Sequence, residues 1–302
     1  MVATRQYGDY SVADEATVPL QIAPLQFTLE GLLPILPQAL TLWHGGLGKM
    51  LHDHFPDVFD LLYEEESAKA RLYSISPPLP DLPFLNITLF GPAAAHAVAI
   101  TQALIRLGAR GFSSGKQIFQ LRRAALMTPS GSQVYYEADS GLMDWPSVFS
   151  VTEFLKPNSD ASRVRIHLLT PLMLKEGNQF LREAPEFPQL IRRLLSRVSQ
   201  VCFSAGVASP FSKAQVAEWL NLAESVQLVK AILHSDRVER QSGRSGNRMT
   251  FSGFTGKLEY VGDITSFVVL LKLGEKFQLG GKTAFGFGVY RFEYADQEGA
   301  WH

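Results

Sequence analysis

The sequence predicts an α+β fold made of two tandem ferredoxin-like domains, with a glycine-rich loop near the C-terminus. Three observations predict it. The apolar pattern switches between the period of a strand and that of a helix in the order strand, helix, strand, strand, helix, strand, and it does so twice. A polar, turn-rich stretch at 138–160 separates the two passes. The length, 302 residues, suits two domains. We place the first domain at 1–140, a linker at 141–160 and the second domain at 161–302.

In the first pass, residues 19–30 alternate loosely through Leu20, Ile22, Leu25, Phe27 and Leu29, as a strand does. Pro34 and Pro37 open a helix to about Phe55, with Leu40, Trp43, Leu47 and Leu51 on one face and Pro56 as its stop. Residues 70–76 and 84–90 read as strands joined by the turn run PPLPDLP. Residues 93–108 form an alanine-rich helix ended by Gly108, and 116–125 and 133–137 are shorter strands.

In the second pass, residues 163–170 are a strand. Residues 187–202 are an amphipathic helix, with Phe187, Leu190, Ile191, Leu194, Val198 and Val201 on one face and Arg192, Arg193 and Arg197 on the other. A further helix spans 212–223. Strands at 226–238 and 249–261 are joined by ERQSGRSGNR. A helix follows at 263–273, with Asp263 favourable to its dipole, and 288–294 is the last strand.

One cysteine excludes an internal disulfide framework and a cysteine-rich zinc site. No metal site is expected, since the seven histidines and the acids do not cluster at ligand spacing. There is no apolar leader and no run of about 18 apolar residues, so a cytoplasmic protein without membrane contact is expected. A net charge of −1 argues at first sight against a nucleic-acid partner. The charge is uneven, however. Residues 1–187 carry 14 Lys and Arg against 19 Asp and Glu, whereas 188–293 carry 14 against 8. Such asymmetry suggests a polyanion held by the second half.

The strongest local signal is GGKTAFGFG at 280–288, with four glycines in nine residues between a helix and a strand. Glycine permits positive φ and close approach, and exposed N–H groups in such a loop can hold phosphate oxygens. It is not a Walker A loop, because Lys276 stands where the first glycine is required.

GGKTAFGFGVYRF resembles the C-terminal glycine-rich loop of the RAMP superfamily of CRISPR-associated proteins. FLNITLFGPAAAHAVAITQALIRLGARG, RIHLLTPLMLKEG with PEFPQLIRRLLSRV, and RVERQSGRSGNRMTFSGFTGKLEYVGD resemble, in family order, segments of one branch of it, the Cas6 endoribonucleases. The resemblance spans most of the chain from Leu20 to Phe292. It implies binding of CRISPR repeat RNA, usually at a stem-loop, and one cut without metal or cofactor. The ribose 2′-OH attacks the adjacent phosphate, leaving a 2′,3′-cyclic phosphate and a 5′-OH. It also implies that the product is held for an effector complex with other Cas proteins.

That chemistry needs a base, an acid and a cation. Histidine suits both proton roles. Family enzymes place theirs in or after the first helix, where this chain has His44, His52 and His54. On a helical wheel His54 shares the apolar face with Trp43 and Leu47, His44 borders it, and His52 faces the small side with Gly45, Gly48 and Lys49. A phosphate backbone could approach that small side. The position shortly before the second strand, where many relatives carry their histidine, offers Tyr63 and Lys69 instead. The catalytic candidates are therefore His44, His52, Tyr63 and Lys69. Tyr63 in place of histidine leaves open an RNA-binding subunit with weak or no cleavage, and another RAMP scaffold protein is a further alternative.

For RNA binding the hairpin tip offers Arg237, Arg240, Arg244 and Arg248, suited to bidentate phosphate contacts. Lys282 and Thr283 in the glycine-rich loop and the stripe Arg193 and Arg197 are the other candidates.

Overall fold

The computed structural model describes residues 18–64, 70–112, 117–142, 145–155, 160–176, 179–181, 183–241, 248–296 and 298–302, with backbone alone at 142, 176, 239–241 and 248–249. The first half runs β1 Gln21–Gly31, α1 Ala39–His54, α2 Pro56–Tyr63, β2 Tyr73–Ser76, β3 Phe84–Phe90, α3 Ala97–Arg110, β4 Phe119–Thr128 and β5 Gly131–Glu137. Its sheet has the order β2-β3-β1-β4-β5, antiparallel throughout, and the first four strands give the ferredoxin-like arrangement. The interleaved order follows from the two helical crossovers, which both pack α1 and α3 on one face. There Trp43 meets Phe112 edge-on at 5.0 Å and Phe119 at 5.3 Å.

Three local expectations are corrected. The first helix begins at Ala39, because Pro34 and Pro37 sit in the turn that precedes it. Pro56 does not stop the helical region but restarts it. It has no N–H to bond back into α1, Phe55 leaves the helical region at φ −143° and ψ 64°, and proline suits the first turn of the new helix α2. Residues 141–160, expected as a linker, add β6 Gly141–Leu142 and β7 Phe149–Ser150 to the first sheet. Ser150 and Glu153 cap a short 3-10 turn there, and Val151 is buried with its N–H donated to the Leu20 carbonyl.

The second half runs β8 Arg163–Leu172, β9 Lys175–Glu176, β10 Gln179–Phe180, α4 Phe187–Ala205, α5 Lys213–Ala223, β11 Gln227–Gln241, β12 Arg248–Val261, α6 Thr265–Phe277 and β13 Tyr290–Ala295. The main sheet is β11-β12-β8-β13, the same order as in the first half, and β9 and β10 form a separate small hairpin. The apolar face predicted for α4 is buried in full, and Cys202 lies on it with its thiol pushed up by burial to about 12. Gly206 ends α4 in the left-handed conformation.

The two halves share one apolar core. Phe90 at the end of β3 lies 4.5 Å from Phe277 at the end of α6. Beside them the Ser74 hydroxyl donates to the Lys276 carbonyl at 2.8 Å, and Gln278 Nε2 donates to the Ile75 carbonyl at 2.7 Å. Strand β2 is thus the seam on which the second half rests. No helix among the described residues is long and apolar enough to cross a membrane.

Candidate functional site

The glycine-rich loop leaves α6 and folds back onto the end of β8. Gly281 N–H donates to the Met173 carbonyl, Gly288 N–H to Pro171, Phe285 and Phe287 N–H to Lys282, and Gly286 N–H to Thr283. These amides hold the loop in place, so they are not the open phosphate cradle that the glycine spacing suggests. Thr283, a predicted RNA contact, is buried. What the loop presents is side chains. Lys282, in the left-handed region at φ 63°, sets its Nζ 5.8 Å from the rings of Phe251 and Phe285.

Phe285 reaches across the seam to His44, ring to ring at 3.9 Å. The helix face that presents His44 is buried, and the residue is 7% exposed. Its Nδ1 lies 2.8 Å from the Tyr73 hydroxyl on β2, and the two rings stack at 6.2 Å. Tyr63 comes from the end of α2 and donates its hydroxyl to the His44 carbonyl at 2.8 Å. Burial pushes the Tyr63 hydroxyl well above the ordinary tyrosine range, so it stays protonated and holds α1 in place rather than acting as a base. Its ring also covers Gly48. A methyl there would come within 2.6 Å of it, so the small side of α1 is not open to a phosphate backbone at that point.

His52 lies on the exposed side of α1, as the wheel predicts, with Nδ1 3.2 Å from Asp53 Oδ1. Lys49 at 2.7 Å, with His52, holds the Asp53 carboxyl below its usual range, and Arg110 stands 3.8 Å off. His52 meets the Phe59 edge at 5.1 Å, and Phe59 stacks on Tyr63 at 5.1 Å. His54, expected on the apolar face, is exposed at the helix end. Lys69 lies outside the described residues.

The basic hairpin forms as predicted. Strands β11 and β12 stay paired up to Gln241 and Arg248, whereas β8 pairs with β12 only as far as Phe254, so the hairpin reaches beyond the sheet. Arg237 is exposed on it, Arg240 and Arg248 sit on its ladder, and Arg244 lies outside the described residues.

The stripe predicted on α4 does not form a solvated face. Arg193 donates to the Lys175 carbonyl of the small hairpin. Arg197 is buried, with Nε donated to the Phe277 carbonyl at 3.3 Å and its guanidinium 6.0 Å from the Phe90 ring, and burial pushes its pKa down to about 10. Its position four residues after Arg193 hides this, because a long side chain can lie along an apolar seam.

Sequence reasoning missed Tyr73, which reads as an ordinary strand residue. The usable signal was that a buried tyrosine hydroxyl needs a partner. Among the described residues, no three His, Cys, Asp or Glu side chains stand close enough to hold a metal ion.

Residues 166–290 match the family model of the CRISPR-associated endoribonuclease Cas6. Over this segment the chain is similar to the Cas6 endoribonucleases. The matched part runs from β8 through the glycine-rich loop to the start of β13. Solved Cas6 structures share the fold over nearly the whole chain. Cas6 of Thermus thermophilus is 19% identical, with 91% of this chain and 98% of that chain covered and a TM-score of 0.56. A Cas6 product complex is 17% identical, with 90% and 99% covered and a TM-score of 0.55. A partial Cas6-RT-Cas1–Cas2 complex is 11% identical, with 94% of this chain and 48% of that chain covered and a TM-score of 0.58. No curated protein sequence matches the chain.

Proposed function

We propose that this protein is an endoribonuclease that cuts CRISPR repeat RNA without metal, by attack of a ribose 2′-OH on the adjacent phosphate. The observation that carries this reading is the meeting of His44, Tyr73 and Phe285 where the two sheets join, next to Lys282. Tyr73 fixes the His44 ring through Nδ1, so proton exchange with the 2′-OH or the 5′ leaving oxygen runs through Nε2. Lys282 supplies the cation for the crowded phosphate. The first half contributes the histidine, and the second contributes the loop and the basic hairpin that grips the repeat stem. The atoms balance without any cofactor. The 2′ oxygen replaces the 5′ oxygen on phosphorus, giving a 2′,3′-cyclic phosphate and a 5′-OH.

The match to the Cas6 family supports this reading. One matched structure is named a product complex, which fits product retention, and another is an assembly with Cas1 and Cas2, which fits further Cas partners. The burial of His44 favours a second reading, an RNA-binding subunit that caps the crRNA without cutting it.

One assay separates the two. The protein is expected to cut repeat RNA in EDTA at the rate seen without chelator, and to bind but not cut a substrate with 2′-deoxyribose at the scissile nucleotide. Binding with no cut in either buffer supports the capping subunit. A further result is expected of Tyr73→Phe, which keeps the ring and removes the bond to Nδ1. Cleavage should fall roughly 10–100-fold and the pH–rate profile should move, while stability in urea changes by only about 1 kcal/mol. An unmoved pH profile would mean that Tyr73 does not position the histidine.

A further inference from the structure

A cleft of about 560 Å³ lies between the β9–β10 hairpin, α4 and the glycine-rich loop. Lys175, Arg193, Arg197 and Lys282 line it, and no carboxylate is among its described lining residues. Four cations in one cleft repel one another and favour an anionic occupant. Arg197 sharpens the point. It is more than nine-tenths buried, and its Nη2 has no hydrogen-bond partner among the described residues. A buried guanidinium with no counter-charge is costly, and an anion in the cleft would offset that cost.

The remaining lining speaks to the shape of the occupant. Phe180 stands exposed at the mouth, with Lys175 Nζ 4.6 Å from its ring centroid. Phe251 forms the inner wall and leads to Phe285, 6.1 Å away, which touches His44. The cleft therefore offers cations for a phosphate and an exposed aromatic face for a planar ring, and it adjoins the proposed cutting site. A volume of this size holds a nucleotide. None of Lys175, Phe180 and Phe251 belongs to the sequence-predicted binding set.

We propose that this cleft seats one unpaired nucleotide of the RNA, its phosphate on Lys175, Arg193 and Lys282 near the buried Arg197, and its base against Phe180. The proposal rests on the RNA-processing reading above and adds to it a binding place for single strand beside the cut. Stacking of this kind accepts any base, so the cleft contributes affinity and placement but little sequence selection.

Fluorescence anisotropy of the full chain with a labelled uridine hexamer tests this. The wild type is expected to bind the hexamer, and Phe180→Ala and Lys175→Ala are each expected to weaken binding about tenfold. Lys175→Ala should also reduce the salt dependence of binding by close to one counterion. Both side chains are exposed, so the variants should melt like the wild type. Equal affinity in all three proteins, or no binding by the wild type, overturns the cleft proposal. Cleavage of repeat RNA is read separately. A protein that cuts the repeat but ignores the hexamer loses the cleft and keeps the function. One that binds the hexamer through Phe180 and Lys175 but never cuts keeps the nucleotide seat and loses the nuclease.

Discussion

His44→Ala is expected to lower the single-turnover cleavage rate of repeat RNA by about 10²–10⁴-fold, the range that a positioned proton-transfer group contributes. Affinity for the uncut RNA should change little, because His44 offers almost no accessible surface. His52→Ala is the informative partner. His52 is exposed and leans on Asp53, so its loss should leave the rate within a few-fold of wild type. Rapid-quench kinetics at saturating protein measures both. If His52→Ala is the dead variant and His44→Ala retains full rate, the catalytic group is the surface histidine, and the cluster at the seam serves packing only.

Gly288→Ala is expected to destabilise the protein by about 3 kcal/mol or more, read from urea unfolding. Gly288 sits at φ 73°, where an alanine is strained by roughly 1–2 kcal/mol. The added methyl would also fall on the carbonyl oxygen of Leu279, whose N–H donates back to Gly288 at 3.0 Å. The chain cannot relieve that contact without releasing the loop from the end of β8, and with it Phe285 from His44. Cleavage should therefore fall even at temperatures where the variant remains folded. Full stability with full activity would mean that the loop tolerates a side chain, and that its docking is looser than its hydrogen bonds imply.

Period and punctuation in the sequence placed nearly all the main strands and helices. Two- and three-to-four-residue repeats are local properties of a segment, and both halves carry them. The errors arose where one residue has two structural uses. Pro56 fits a helix stop and a helix start equally well on paper, and only the non-helical Phe55 before it decides. The stretch at 141–160 is polar enough for a linker, yet Val151 is drawn into the core by contacts far away in sequence.

The site was legible in a different measure. The glycine-rich loop stood out by composition, and His44 was one of three first-helix histidines to which the family resemblance pointed. Tyr73 did not, since its role depends on a pairing across the seam between two domains. Arg197 looked like a surface charge because spacing along a helix cannot reveal that another domain covers that turn. Arg193 likewise spends its fork on a backbone carbonyl of the β9–β10 hairpin, which periodicity could not foresee.

The seam at β2 makes the proposed site depend on the order in which the chain is made. His44 and Tyr73 precede Phe285 and Lys282 by more than 200 residues in the chain. A ribosome-bound or prematurely ended product therefore has a histidine but no loop to close over it. Under the proposed function, that order delays any cutting until the hairpin that would grip the RNA has also been made.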